Sequence, residues 1–197
     1  MTTKKIIPIL FALIFGAMNL YAQHVKPVFK RLVWSSYEPT SDNGREKINI
    51  VDLLEINTDG LVHLMTKYKG IGDTTYHLSA ELVNKLNAVF DGNKKLTTYM
   101  AINKLPEGSH FAGALQYLYY INAAGKKDEL IFIPSFMDSG FYKLLNDIYN
   151  SPSIYNPKVN IIHSPGLAMQ ILKFHKACSC APKIEQPPAI MEFTPAN

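Results

Sequence analysis

The sequence predicts an α+β fold: an antiparallel sheet built from two strand-hairpin-plus-helix units, with the helices on one face. Three observations lead there. Runs rich in β-branched and aromatic residues are joined by short glycine-containing turns, two later stretches carry a helical apolar stripe, and the strands come in groups instead of alternating singly with helices. Hydrophobic residues make up 47% of the 197 and charged residues 18%. That is enough apolar side chain for a core and too little charge for a disordered chain.

The N-terminus reads as an address. Lys4-Lys5 precedes the uncharged run Ile6–Leu20, and Tyr21-Ala22-Gln23 follows. A positive start, an apolar centre and a small residue before a polar one describe a secretory signal peptide, cleaved after Ala22. The competing reading is a membrane anchor, but the uncharged stretch is short for a span and is interrupted by Pro8 and Asn19. No cysteine follows the cleavage point to carry a lipid. The predicted organisation is therefore a signal peptide over 1–22, an α+β domain over 23–150, and a linker, short helix and proline-rich tail over 151–197. The predicted location is secreted or periplasmic, without a stable membrane span after cleavage. Net charge is +4, and two of the positive residues, Lys4 and Lys5, lie in the leader. A nucleic-acid partner is not expected from so small a balance.

Within the domain, Val28–Tyr37 reads as a strand and Glu38–Arg45 as a polar loop. Lys47–Ile56 and Leu61–Tyr68 follow as strands, joined by Asn57-Thr-Asp-Gly60, where Gly supplies the positive φ of a hairpin turn. Ile48, Ile50, Leu54 and Ile56 are expected on one face, with Asp52 interrupting it. Thr74–Leu78 is a further short strand. Leu82, Leu86, Val89 and Phe90 then mark a helix over 80–91, with Ser79 as its cap and Gly92 closing it. In the second half, Leu115–Ile121 and Asp128–Ile133 pair across Ala123-Ala-Gly-Lys-Lys127. Phe141, Leu144, Leu145 and Ile148 then mark a helix over 139–149. Leu167, Ile171 and Phe174 suggest a short helix within 167–176, and Ala181–Asn197 reads as an extended tail.

Catalytic patterns are sparse. Ser109-His110 with Glu107 forms no nucleophile elbow and reads as a polar loop. Asp52 and Glu55 point to opposite faces of one strand, so they do not make a glycosidase pair. Asp52 itself is either a buried functional acid or a marker of the sheet rim. His63 and His77 sit on neighbouring strands, close enough in the chain to meet. Asp128 and Glu129 read as solvated charges. No zinc-protease helix, phosphate loop, calcium loop or dinucleotide fingerprint is present, and no cofactor is implied.

Two features carry binding hypotheses. The first is aromatic: Tyr117 and Tyr119 share a face with Tyr120 opposite, and Trp34, Tyr37, Tyr68 and Tyr76 lie on or beside the other strands. Exposed on a sheet, Trp34, Tyr117, Tyr119 and Tyr120 would offer rigid area to a protein or a glycan. The same residues also suit an ordinary half-buried sheet. The second is Cys178-Ser179-Cys180, the only cysteines present. Extended residues two apart hold their Cα atoms about 6.6–7.2 Å apart, whereas disulfides need about 4.4–6.8 Å. A bond there requires a turn at Ser179 and encloses almost no loop, which predicts a labile local disulfide or intermolecular pairing. With His175 added, His175, Cys178 and Cys180 would suit Cu(I) or zinc, though no fourth ligand is near.

The residues carry no resemblance to a known family. They predict an exported, non-catalytic binding domain for a protein or glycan. The rivals are a hydrolase using Asp52, His63, His77 and His110, and a thiol or metal protein built on the Cys-x-Cys region.

Overall fold

The computed structural model describes residues 25–66, 73–90, 94–102, 107, 111, 113–151 and 165–178. The leader 1–22, Gly92, the Ser109-His110 pair, Cys180 and the tail 181–197 lie outside them. Six antiparallel strands form one sheet: β1 (Phe29–Asp42), β2 (Arg45–Asn57), β3 (Leu61–Thr66), β4 (Asp73–His77), β5 (Leu115–Asn122) and β6 (Lys127–Phe132), in the spatial order β4-β3-β2-β1-β5-β6. Among the described residues, three α-helices accompany it: α1 (Ala80–Val89), α2 (Ser139–Tyr149) and α3 (Pro165–Ala177).

The residues expected to form a loop after Tyr37 instead extend β1 to Asp42. The turn sits at Asn43-Gly44, with φ of 51° and 75°. Two consecutive positive φ values fit a hairpin turn whose twist matches its strands, which Asn-Gly adopts at least cost. Thr40 and Pro39 are carried along because the ladder runs on through Asp42↔Arg45. The Asp-Gly turn falls where the sequence put it, with Gly60 at φ 79° and its N–H donating to the Asn57 carbonyl.

The expected single face of β2 is broken by a bulge. Ser36 faces Asp52, but the next pair is Tyr37↔Ile50, so Val51 is an extra residue. Past it, side chains swap sides. Leu54 and Ile56 join the core cluster under α1 and α2, while Ile50 and Ile48 belong to the cluster on the other face.

Helices α1 and α2 pack on the same face, over Leu32, Trp34, Leu54, Val62, Leu64, Leu118 and Tyr120. In α1 the buried stripe is Val83, Leu86 and then Phe90 at the cap, with Leu82 and Val89 only half-buried. Ser79 caps α1, accepting the Leu82 N–H at 3.3 Å, and Asp138 caps α2, accepting the Phe141 N–H at 2.9 Å. Replacing Asp138 with Ala should lower stability by about 0.5–2 kcal/mol, read as a shift in the urea midpoint with the slope unchanged. Tyr76 donates to the Ile148 carbonyl and so ties the end of α2 to β4.

Helix α3 covers the opposite face of the sheet. Leu167 and Ile171 pack there with Val33, Tyr37, Ile50, Leu53, Tyr117 and Ile131. The sheet is therefore sandwiched, with two helices on one side and one on the other. Among the described residues, no helix is long and apolar enough to cross a membrane.

Candidate functional site

Where β1, β2, β3 and β5 run past the helix-covered core, four polar residues stand abreast. Gln116 faces Ser36, Ser36 faces Asp52 and Asp52 faces Thr66, one on each of four adjacent strands. Strand alternation aims them at the α2 side, because Leu118, Trp34, Leu54 and Leu64, two positions along, belong to the core under α1 and α2. The β2 bulge lies immediately beside Asp52. It ends the apolar face at this row.

Helix α2 supplies the opposite wall. Its core stripe is Phe141, Leu144, Leu145 and Ile148, and the flanking positions Tyr142, Asn146 and Tyr149 are half-buried at i, i+4 and i+7. Between this strip and the sheet lies a cavity of about 230 Å³, lined by Trp34, Ser36, Asp52, Leu54, Gln116, Tyr142, Asn146 and Tyr149. The Trp34 ring meets Tyr142 and Tyr149 edge to face, at 5.9 and 6.0 Å between centroids.

The polar groups are fixed by one another. Tyr149 Oη donates to Asp52 Oδ1 at 2.9 Å, Gln116 Nε2 to Ser36 Oγ at 3.2 Å, and Asn146 Nδ2 to the Tyr142 carbonyl at 3.0 Å. Two buried atoms of the lining have no protein partner, Trp34 Nε1 and Gln116 Oε1, on side chains only 8% and 6% exposed. A buried polar atom left without a partner costs about 1–3 kcal/mol. Thr66 Oγ1, next in the polar row, is in the same state. Gln116 Oε1 and Thr66 Oγ1 stand in that row and Trp34 Nε1 lies two positions from Ser36, where a ligand's own donors and acceptors would relieve them.

The aromatic hypothesis needs correcting. Trp34, Tyr117, Tyr119 and Tyr120 are between 0% and 8% exposed, so no flat aromatic face is offered by them. The reason is the second layer. Tyr117 lies beneath α3, against Phe174 and donating to Glu129 at 3.0 Å, while Tyr120 packs against Phe29 and Phe90 under α1. Tyr119 carries the Arg31 guanidinium 5.8 Å from its ring. Only Trp34 of the four borders the cavity. Tyr142 and Tyr149, which line it beside Trp34, were hidden among the polar positions of a helix; the legible sign was Asp52, an acid within an apolar run.

The hydrolase grouping is not assembled among the described residues. Asp52 points to the α2 side, whereas His63 lies on the other face, opposite Thr75, with Nε2 2.7 Å from Asp73 Oδ1. His77 pairs in register with Leu61 and not with His63. As expected from their spacing, Asp52 and Glu55 diverge, and Glu55 accepts from Arg31 at 2.7 Å. Asp128 and Glu129 are half-buried acceptors and not solvated charges: Asp128 takes the Leu96 N–H at 2.6 Å and Glu129 takes the Tyr117 hydroxyl.

The metal grouping is likewise committed elsewhere. Cys178 is disulfide-bonded, so its sulfur is not a thiolate; Cys180, the other cysteine of the chain, lies outside the described residues. His175 Nδ1 lies 3.0 Å from the Tyr37 hydroxyl, with the rings edge to face. Burial holds His175 below the usual histidine range and pushes the Tyr37 hydroxyl above the usual tyrosine range. Burial first, then Glu129, raises Tyr117 as well. These groups dock α3; they do not open onto the cavity. Compared with protein-family models, curated proteins and solved structures, the chain finds no significant match.

Proposed function

We propose that this chain is an exported, non-catalytic binding domain that holds a glycan by seating one sugar ring in the cavity between the sheet and α2. The observation that carries the reading is the lining itself. Aromatic rings of Trp34, Tyr142 and Tyr149 stand beside a carboxylate, two amides and a hydroxyl, with Trp34 Nε1 and Gln116 Oε1 unpaired. Sugars present apolar C–H faces to aromatic rings, and hydroxyls that both donate and accept to such polar groups. The volume lies below the roughly 300–1,000 Å³ of pockets for drug-sized ligands, which suits one ring of a longer chain. Catalysis by the usual carboxylate pair has no second acid among the lining residues, since Asp52 stands alone there. Export rests on the leader pattern of residues 4–23, and the disulfide at Cys178 is consistent with an oxidising compartment.

Trp34 is the only tryptophan in the chain, so its emission reports on this cavity alone. Titration of the full chain with mono- and oligosaccharides should change that emission saturably, without release of new reducing ends. Gln116→Ala should weaken binding about tenfold, the worth of one buried hydrogen bond to a neutral group. A panel that leaves Trp34 emission unchanged, with no heat of binding, would overturn the reading.

A further inference from the structure

The cavity has unpaired groups of both kinds, the Trp34 Nε1 donor and the Gln116 Oε1 acceptor, and it also holds a charged acceptor. Asp52 receives the Tyr149 hydroxyl on Oδ1, and no described Lys, Arg or His forms an ion pair with its carboxylate. One hydrogen of each nearby amide is already used: Gln116 Nε2 donates to Ser36 Oγ and Asn146 Nδ2 to the Tyr142 carbonyl. That leaves the second Asp52 oxygen, Gln116 Oε1 and the Asn146 side-chain carbonyl as acceptors. A protonated amine brings three donors and one positive charge. Around them stand Trp34, Tyr142 and Tyr149, whose ring faces attract cations. A neutral sugar would satisfy the acceptors and leave the carboxylate uncompensated in a half-buried site; an anion would be repelled.

We propose that the cavity is a site for a protonated primary amine and that the ring it seats is an amino sugar. The proposal rests on the glycan reading above and adds the charge class of the ligand. Asp52 is its counter-ion, Gln116 and Asn146 take further N–H or O–H groups, and the aromatic rings border the cation. No bond is made or broken.

The test is calorimetric titration of the full chain with glucosamine, glucose, N-acetylglucosamine and ethylammonium, with Trp34 emission as a second readout. Glucosamine should bind about 10- to 100-fold more tightly than glucose or N-acetylglucosamine, the range for a hydrogen bond to a charged group. Asp52→Asn, which keeps the shape and can still accept from Tyr149, should erase the preference for glucosamine over glucose. Tyr142→Leu, which removes one ring without touching Asp52, should weaken glucosamine more than glucose. Equal affinity for the three sugars, or a glucosamine preference that survives both substitutions, overturns the amine site and leaves the glycan reading standing. Ethylammonium binding as well as glucosamine, with glucose not bound, supports the amine site and overturns the glycan reading. Failure of all four probes overturns both.

Discussion

Replacing Leu86 with Ala is expected to lower the unfolding free energy by about 2–5 kcal/mol, and Leu145→Ala by a similar amount. Both side chains are fully buried where α1 and α2 meet the sheet. The loss combines the transfer free energy of the deleted carbons with the cavity left behind, and rigid neighbours such as Phe90 and Phe141 limit collapse into it. Leu82, only half-buried on the same helix, supplies the control. Its replacement with Ala should cost clearly less. Urea unfolding of the three variants decides the matter, and losses near zero at both Leu86 and Leu145 would show that these helices are not packed on the sheet.

The second large effect concerns α3. Ile171→Ala should also destabilise the whole domain by about 2–5 kcal/mol, because Ile171 is fully buried against the far face of the sheet. A helix that merely rested on the surface would fray without moving the global transition. Acid should weaken the same contact. The folded state holds His175 neutral beside Tyr37, so its pKa lies below the ordinary value of about 6.5 carried by the unfolded chain. The unfolded chain therefore binds the proton first, and stability contributed here is present above that value and lost as pH falls toward the lowered one. His175→Gln should flatten the part of the pH–stability curve that lies in that window. An unchanged curve would remove His175 from the account, and an unchanged melting temperature in Ile171→Ala would remove α3 from the core.

Strand and helix positions were legible because periodicity and turn chemistry are local. Leu144, Leu145 and Ile148 announce α2 by their spacing alone, and Gly60 announces its turn. Asn43-Gly44 was equally legible in principle, but the polar residues around it resembled a loop. They are polar because the hairpin end projects beyond the core, with Lys47 paired to Asp42 in solvent. The Val51 bulge was not legible. One extra residue changes the facing of everything beyond it, and nothing in Ile50-Val51-Asp52 marks which residue is unpaired. Nor can tyrosine propensity distinguish a solvent-facing sheet from one beneath a helix. Tyr117 needed α3, some fifty positions later in the chain, before its burial was decided. The cavity joins β1, β2, β5 and α2 through register, so only Asp52, an acid out of place, gave it away.

The strand order has a consequence for how the molecule is born. The central strand β1 leaves the ribosome well before one of its two neighbours, β5, which begins only at Leu115. Until then β1 can complete just its hairpin with β2, and its other margin of N–H and C=O groups stays open. Closing so distant a pairing is slow, because a long loop must be ordered before any contact rewards it. A nascent chain of this topology stays threadable until its second half has emerged. It is also during that interval that a second copy, offering its own β5, could seize the vacant margin and exchange strands.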